Sequence, residues 1–185
     1  MKKPVFLGIS GSLRRGSTNR KLLREAVRLY GDADYTEADI CFPLYDGDIE
    51  SGPGIPDSVH RLVGQIAAAD AVLISGPEYN GSISGVLKNA LDWISRVERK
   101  PLIGMPTVLL SAAAGRAGGA RSQFAMRLCL VAFRPQIVIG PEVALADSRN
   151  QFDEDGWLKN ERTVKSLTGL MQALRQQIKD QVNGT

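Results

Sequence analysis

The sequence predicts a doubly wound α/β fold, a five-stranded parallel sheet in the order 2-1-3-4-5 with helices on both faces. Three observations carry this. Strand-like and helix-like segments alternate five times along 185 residues. The strong strand candidates are continuously apolar, as strands covered on both faces must be, and strand–helix alternation implies parallel pairing. Loops of small residues follow the first, third and fourth strands, and in this strand order those loops meet at the carboxyl edge of the sheet, beside its switch point.

The first strand runs through Val5, Phe6, Leu7 and Ile9. It breaks into Gly11, Ser12, Gly16, Ser17, Thr18 and Asn19, with Arg14 and Arg15 between, and Leu22, Leu23, Ala26, Val27 and Tyr30 then recur at helical spacing. Asp34 to Asp39 is a weaker strand candidate. Residues 41–57, CFPLYDGDIESGPGIPD, form a long loop that either flanks a site or is a tolerated surface insertion. Asp57 or Ser58 caps the next helix, whose apolar face is Val59, Leu62, Val63, Ile66 and Ala67. Ala71 to Ile74 is a buried strand leading into PEYNGSISG, residues 77–85, and then a helix carrying Val86, Leu87, Ala90, Leu91, Ile94 and Val97. Thr107 to Leu110 opens into SAAAGRAGGA, residues 111–120. The helix beyond is apolar nearly all round near its end, through Phe124, Leu128, Cys129, Leu130, Val131 and Phe133. Gln136 to Ile139 is the last strand, residues 141–157 are irregular, and the final helix shows one stripe through Val164, Leu167, Met171, Leu174 and Ile178. The class is the flavodoxin-like doubly wound sheet, in one domain over residues 1–185.

Composition excludes several functions. A formal charge of +3, from 23 basic and 20 acidic side chains, is too mild and dispersed for nucleic acid, and at most weakly favours anionic substrates. No apolar run reaches membrane length and no signal-peptide order opens the chain, so neither membrane nor export is expected. Cys41 and Cys129 form no C-x-x-C pair, which fits a reduced, cytoplasmic setting; Cys129 is expected in the core. His60, the single histidine, is expected at the surface, so no histidine triad or histidine-rich metal site is expected.

The loop after the first strand is suited to phosphate. Helix-start N–H groups lack partners and the helix dipole favours an anion, while Ser12, Ser17 and Asn19 add side-chain donors and an arginine adds charge-assisted hydrogen bonds. Ser17, Thr18 and Asn19 are also ordinary helix caps, the plainer reading. The loop is neither a Walker loop nor the dinucleotide G-x-G-x-x-G, since its glycines fall at 8, 11 and 16, and a single terminal phosphate suits it better than a triphosphate. Pro77 to Gly81 offers backbone donors and acceptors for the edge of a flat heterocycle, with Tyr79 to pack on the ring. Ala112 to Gly119 has almost no side chains, so its backbone can approach a ring closely. A phosphate at one end and a planar polar heterocycle at the other describe FMN.

The motifs GSLRRGSTN, PLYD, GPEYNGSISGVLKNALDWISR and GGARSQ resemble those of the NADPH-dependent FMN reductases, in particular the bacterial chromate and quinone reductase branch. The resemblance spans roughly residues 5 to 140. It implies non-covalent FMN held by Ser12, Leu13, Arg14, Arg15, Gly16, Ser17, Thr18 and Asn19, with Ser12, Arg14, Ser17 and Asn19 on the phosphate. It places Pro77, Glu78, Tyr79, Asn80 and Gly81 along the ring, with Ala113 and Gly115 facing it from the third loop. It also implies a homodimer or a dimer-of-dimers tetramer. NADPH or NADH is then the hydride donor, and a quinone, azo compound, free flavin or metal oxyanion such as chromate is the acceptor. Two departures stand out. Ala113 stands where family members often carry serine, leaving only a backbone contact, and Gly81, Ser82, Ile83 and Ser84 replace a bulkier pair, which is expected to widen the pocket.

No side chain need act as acid or base, and catalysis is expected to rest on the flavin. Arg116, the one long cation in a bare loop, is a candidate for holding negative charge on the ring or on an anionic substrate; a solvated or interface arginine is the alternative. Trp93, Ile94 and Val97 exceed the stripe one sheet face needs, and with helix 124–133 they point to a subunit interface. A flavodoxin-type electron carrier, a non-catalytic FMN-binding or regulatory module, and a phosphate-ligand protein without flavin are the rival functions; flavodoxin-type carriers are usually acidic, whereas this chain has a pI near 9.0.

Overall fold

The computed structural model describes residues 3–183. Strands β1 (Val5–Ser10), β2 (Asp34–Glu37), β3 (Ala71–Gly76), β4 (Pro106–Ala112) and β5 (Gln136–Ile137) form a parallel sheet in the order β2-β1-β3-β4-β5, as expected. The helices are α1 (Thr18–Tyr30), α2 (Gly47–Ser51), α3 (Asp57–Ala68), α4 (Gly85–Arg96), α5 (Ala120–Leu130) and α6 (Glu161–Asn183).

Side chains of successive strand residues leave opposite faces, so the continuously apolar strands feed two cores. Leu7, Ile9, Val72, Ile74 and Leu109 pack with α3 and α4, through Leu62, Ile66, Leu87 and Trp93. Phe6, Leu73, Val108 and Leu110 pack with α1 and α6, through Leu22, Ala26, Leu170 and Leu174. At Gly8 the ring of Tyr35 lies so close that an added Cβ would sit 2.7 Å from its Cε2, so β1 is glycine where β2 leans over it. Burial raises the Tyr35 phenol far above its ordinary range, with Glu37 adding to the effect.

The structure corrects four expectations. The edge strand is split. After Ile137 the chain passes Gly140 and Pro141, which has no N–H for a ladder, and Ile139 is 93% exposed. The chain then rejoins β4 as a sixth strand, β6 (Ala144–Leu145), inside the stretch read as irregular. Residues 41–57 are no free loop: they contain α2 and are strapped onto α4. The Pro43 carbonyl accepts from Trp93 Nε1 at 2.8 Å and Asn89 Nδ2 at 2.9 Å, and Tyr45 N–H donates to Asn89 Oδ1 at 2.8 Å. That strap explains Trp93, which is 0% exposed within the single chain; with Ile94 and Val97 it belongs to the chain's own core and needs no partner to cover it. Finally, α3 begins after Pro56, whose carbonyl accepts from Val59 N–H at 2.9 Å, with no side-chain cap from Asp57 or Ser58.

Cys129 is partly buried against the first core, and His60 is exposed. Glu25, wholly buried on α1, accepts from Arg28 Nε and Nη2 at 2.7 and 2.8 Å and from Leu158 N–H at 3.4 Å, tying the segment before α6 to α1. Among the described residues no helix is long and apolar enough to cross a membrane, and no group of three or more His, Cys, Asp or Glu could hold a metal ion.

Candidate functional site

The carboxyl edges of β1, β3 and β4 carry three loops, which close on one cleft of about 370 Å³. This falls within the ~300–1,000 Å³ range of small-molecule sites.

Loop one joins β1 to α1. Gly11 donates its N–H to the Ser75 carbonyl at 2.8 Å and accepts from Ser84 Oγ at 2.6 Å. A Cβ there would be 3.2 Å from Gly76 Cα and Pro77 Cδ, so the residue is small where loops one and two cross. Ser17 caps α1: its Oγ accepts from Arg20 N–H at 3.4 Å, and its own N–H goes to the Arg14 carbonyl at 3.1 Å. The N–H groups of Gly16, Thr18 and Asn19 have no acceptor within the described residues. With the helix dipole they are free donors at the start of α1, chemically suited to an anion.

Asn19 does something other than offer its side chain to a ligand. Buried at the start of α1, it donates Nδ2–H to the Ala112 carbonyl at 3.0 Å. Its Oδ1 accepts from Ala112 N–H at 3.0 Å and from Ser75 Oγ at 2.8 Å. One carboxamide thus closes a ring with the backbone of Ala112 and fixes the ends of β3 and β4 against loop one.

Loop two is a tight turn. Tyr79 and Ser82 exchange backbone hydrogen bonds at 3.0 and 3.1 Å, with positive φ at Asn80 (52°) and Gly81 (76°), the pattern of a type I′ turn. Asn80 and Gly81 therefore build the turn that presents a half-exposed Tyr79; they do not line the cleft. Nor do Ser82, Ile83 and Ser84, so the short run after PEYN does not widen it: Ile83 is buried, and Ser84 caps α4 and clamps Gly11. Glu78 lines the cleft, but its carboxylate accepts from Arg121 N–H at 3.1 Å at the start of α5.

Loop three, after β4, contributes Ala112, Ala113, Ala114 and Gly115. The backbone of Ala113 is already paired, its N–H with the Leu145 carbonyl at 3.0 Å and its carbonyl with Ser148 N–H at 3.1 Å. Contrary to expectation it is not a free contact to a ring; β6, unforeseen, occupies it. The N–H groups of Ala114 and Gly115 have no acceptor within the described residues.

Of the expected residues, Ser12, Arg14, Gly16, Ser17, Thr18, Asn19, Pro77, Glu78, Tyr79, Ala113 and Gly115 line this cleft. Leu13, Arg15 and Arg116 do not; all three are exposed, and Arg116 lies on the outer part of loop three. The cation that reaches the cleft from the far end of the chain is instead Arg149, beside Ser148. Their signal was only the turn-prone Asp147-Ser148-Arg149-Asn150 within a stretch without periodicity. Among the described residues neither Arg14 nor Arg149 has a carboxylate partner, and the cleft's one lining carboxylate is tied to α5. The donor set therefore fits a phosphate monoester at the α1 end and a flat polar ring between loops two and three, as FMN would require.

The model of the NADPH-dependent FMN reductase family matches residues 4–150. An NAD(P)H-dependent FMN reductase of Pseudomonas aeruginosa is 44% identical over 171 residues, 91% of this chain and 92% of that protein. A quinone reductase of Escherichia coli is 37% identical over 178 residues, 93% of this chain and 94% of that protein. Among solved structures, the flavoenzyme NAD(P)H:(acceptor) oxidoreductase FerB of Paracoccus denitrificans superimposes with a TM-score of 0.85 at 30% identity, covering 96% of this chain and 98% of that one.

Proposed function

The chain belongs to the NADPH-dependent FMN reductase family, and we propose that it is an FMN-dependent enzyme passing hydride from NAD(P)H to quinones. The observation that carries this reading is the convergence of one anion-binding helix start, two unpaired arginines and two nearly bare loops on a single cleft. Bound FMN would supply the hydride-accepting and hydride-donating ring; the protein supplies position and electrostatics. The free N–H groups of Gly16, Thr18 and Asn19, with the hydroxyls of Ser12 and Ser17, would hold the phosphate. Pro77, Glu78 and Tyr79 would border the ring, and the unpaired Ala114 and Gly115 N–H groups would donate to its polar atoms. The small side chains of loop three would leave room at the ring for a nicotinamide or an acceptor.

The acceptor class is taken from the quinone reductase relative; azo compounds, free flavins and chromate are the alternatives to compare with it. Self-association belongs to the same reading. Phe124, Leu128 and Val131 form one exposed stripe along α5 and the turn that follows, and a second copy of the chain is the partner that covers it.

The test is an absorption spectrum of the purified protein under nitrogen, before and after NADPH. A flavin spectrum that bleaches with NADPH and returns with a quinone is the expected result. A flavin that stays oxidised overturns the reductase in favour of a carrier or sensor, and a colourless protein indifferent to FMN overturns the cofactor.

A further inference from the structure

We infer that Ser148 and Arg149 form a second arm of the anion site, with Arg149 closing on the phosphate opposite Arg14 and so selecting FMN over uncharged riboflavin. The inference rests on the reading of the cleft as an FMN site. It assigns a role to residues that lie 130 positions from loop one and outside every motif of the sequence.

The geometry is specific. Ser148 is buried, although it lies in a turn at the surface edge of the sheet. Its hydroxyl accepts from Thr18 Oγ1 at 3.1 Å, at the first residue of α1, and its N–H donates to the Ala113 carbonyl at 3.1 Å. It therefore joins loop one to loop three. Asp147 holds the turn in place: it adopts positive φ (45°), donates its N–H to the Gly115 carbonyl at 3.5 Å and accepts from Asn150 Nδ2 at 3.0 Å. Arg149 follows Ser148, whose backbone and hydroxyl are held to loops one and three, and it lines the cleft.

Charge supplies the second argument. Arg14 and Arg149 bring two guanidinium groups to one cleft that already holds the positive end of α1, with no carboxylate partner for either among the described residues. Two arginines at one cleft with no carboxylate counter-ion raise the positive potential there and favour an anion as its occupant. A phosphate dianion answers both arginines, since each guanidinium can give a forked pair of hydrogen bonds to phosphate oxygens.

The experiment is a fluorescence-quenching titration of flavin-free protein with FMN and, separately, with riboflavin. Wild type, Arg149→Ala, Arg149→Lys and Ser148→Ala are compared. Arg149→Ala is expected to weaken FMN roughly ten- to a hundredfold, the range of a lost charge-assisted hydrogen bond, and to leave riboflavin within about twofold. Arg149→Lys recovers part of the loss, and raising the salt narrows the gap between wild type and Arg149→Ala. Ser148→Ala weakens FMN in the same direction. The inference is overturned if Arg149→Ala binds FMN as wild type does, or if it loses FMN and riboflavin equally, which would mean that the cleft and not the charge had changed. Arg149 is exposed, so its removal leaves the fold intact, and a melting curve of the flavin-free variant checks this. Wild type that binds riboflavin and FMN equally overturns the arginine arm alone; wild type that binds neither overturns the FMN reading with it.

Discussion

Asn19 shows how a residue can be legible and its role not. Its position in GSLRRGSTN marks it for the phosphate loop, and it does line the cleft. Yet its side chain is engaged by Ala112 and Ser75, so its contribution to a ligand is the shape of the loops. Replacing it by alanine leaves the N–H and carbonyl of Ala112 unanswered. We expect a loss of about 2–4 kcal/mol in urea unfolding, because each buried group left unpaired costs about 1–3 kcal/mol, together with weaker FMN. Asn19→Asp should be at least as damaging, since a carboxylate oxygen would then face the Ala112 carbonyl. A wild-type unfolding midpoint for either variant would remove the positioning role. The same limit applies elsewhere in the site. Residue type and local spacing pointed to Ser12, Ser17, Pro77 and Tyr79, because their chemistry is local to strand–helix turns. They could not separate Asn80 and Gly81, which make the turn, from the residues that face the ligand. They chose Arg116 over Arg149, because nothing local says that residue 149 folds back onto residue 18.

At the scale of elements, continuity of apolar residues made β1, β3, β4 and the strand order readable, while the strap over α4 and the split edge strand were not. Both depend on long-range pairing: β6 has two residues and draws its stability from β4, and the strap is held by side chains 44 to 50 positions away. The strap has a pH signature. Tyr45 Oη donates to Glu50 Oε2 at 2.9 Å and Arg96 Nε donates to the same carboxylate at 2.9 Å, which lowers the Glu50 carboxyl below its usual value. A lowered folded value means that the contribution is complete above the unfolded value and lost as pH falls through the folded one. The Tyr45 phenol, raised chiefly by its hydrogen bond to Glu50, contributes below its ordinary range and is lost as pH rises through the raised value. Trp93 packs edge-on to Tyr45 at 5.0 Å and reports the strap directly. In a Trp157→Phe background we expect its emission to shift red on acidification below roughly pH 4, before far-ultraviolet dichroism is lost. Adding Glu50→Ala should shift the emission at neutral pH and abolish that early acid limb. Identical profiles with and without Glu50 would separate the strap from this carboxylate.

At the scale of the whole molecule, the α5 stripe is an aligned set of exposed apolar side chains that the two cores do not absorb. Trp93, Ile94 and Val97 looked like interface residues in the sequence and proved to be core: the strap covers Trp93, and Ile94 and Val97 pack within the first core. Phe124, Leu128 and Val131 did not: they are 67, 76 and 69% exposed, while Met126 and Leu130 on the same segment are buried. Single exposed apolar residues need no explanation, but an aligned set on one helix face marks an association site. A symmetric dimer brings the same stripe of both copies together, which is self-complementary without any further partner. The expected result is a mass above that of one chain by light scattering at micromolar concentration, with a melting temperature that rises with protein concentration. Phe124→Glu combined with Leu128→Glu should give a folded monomer, since both side chains are exposed in the single chain and neither core loses a contact that buries it. Flavin binding by that monomer then decides whether the cleft is complete within one chain, as its lining from loops one, two and three and Arg149 indicates. A monomeric wild type, or a double variant that keeps the wild-type mass, would show that α5 is not where copies of the chain meet.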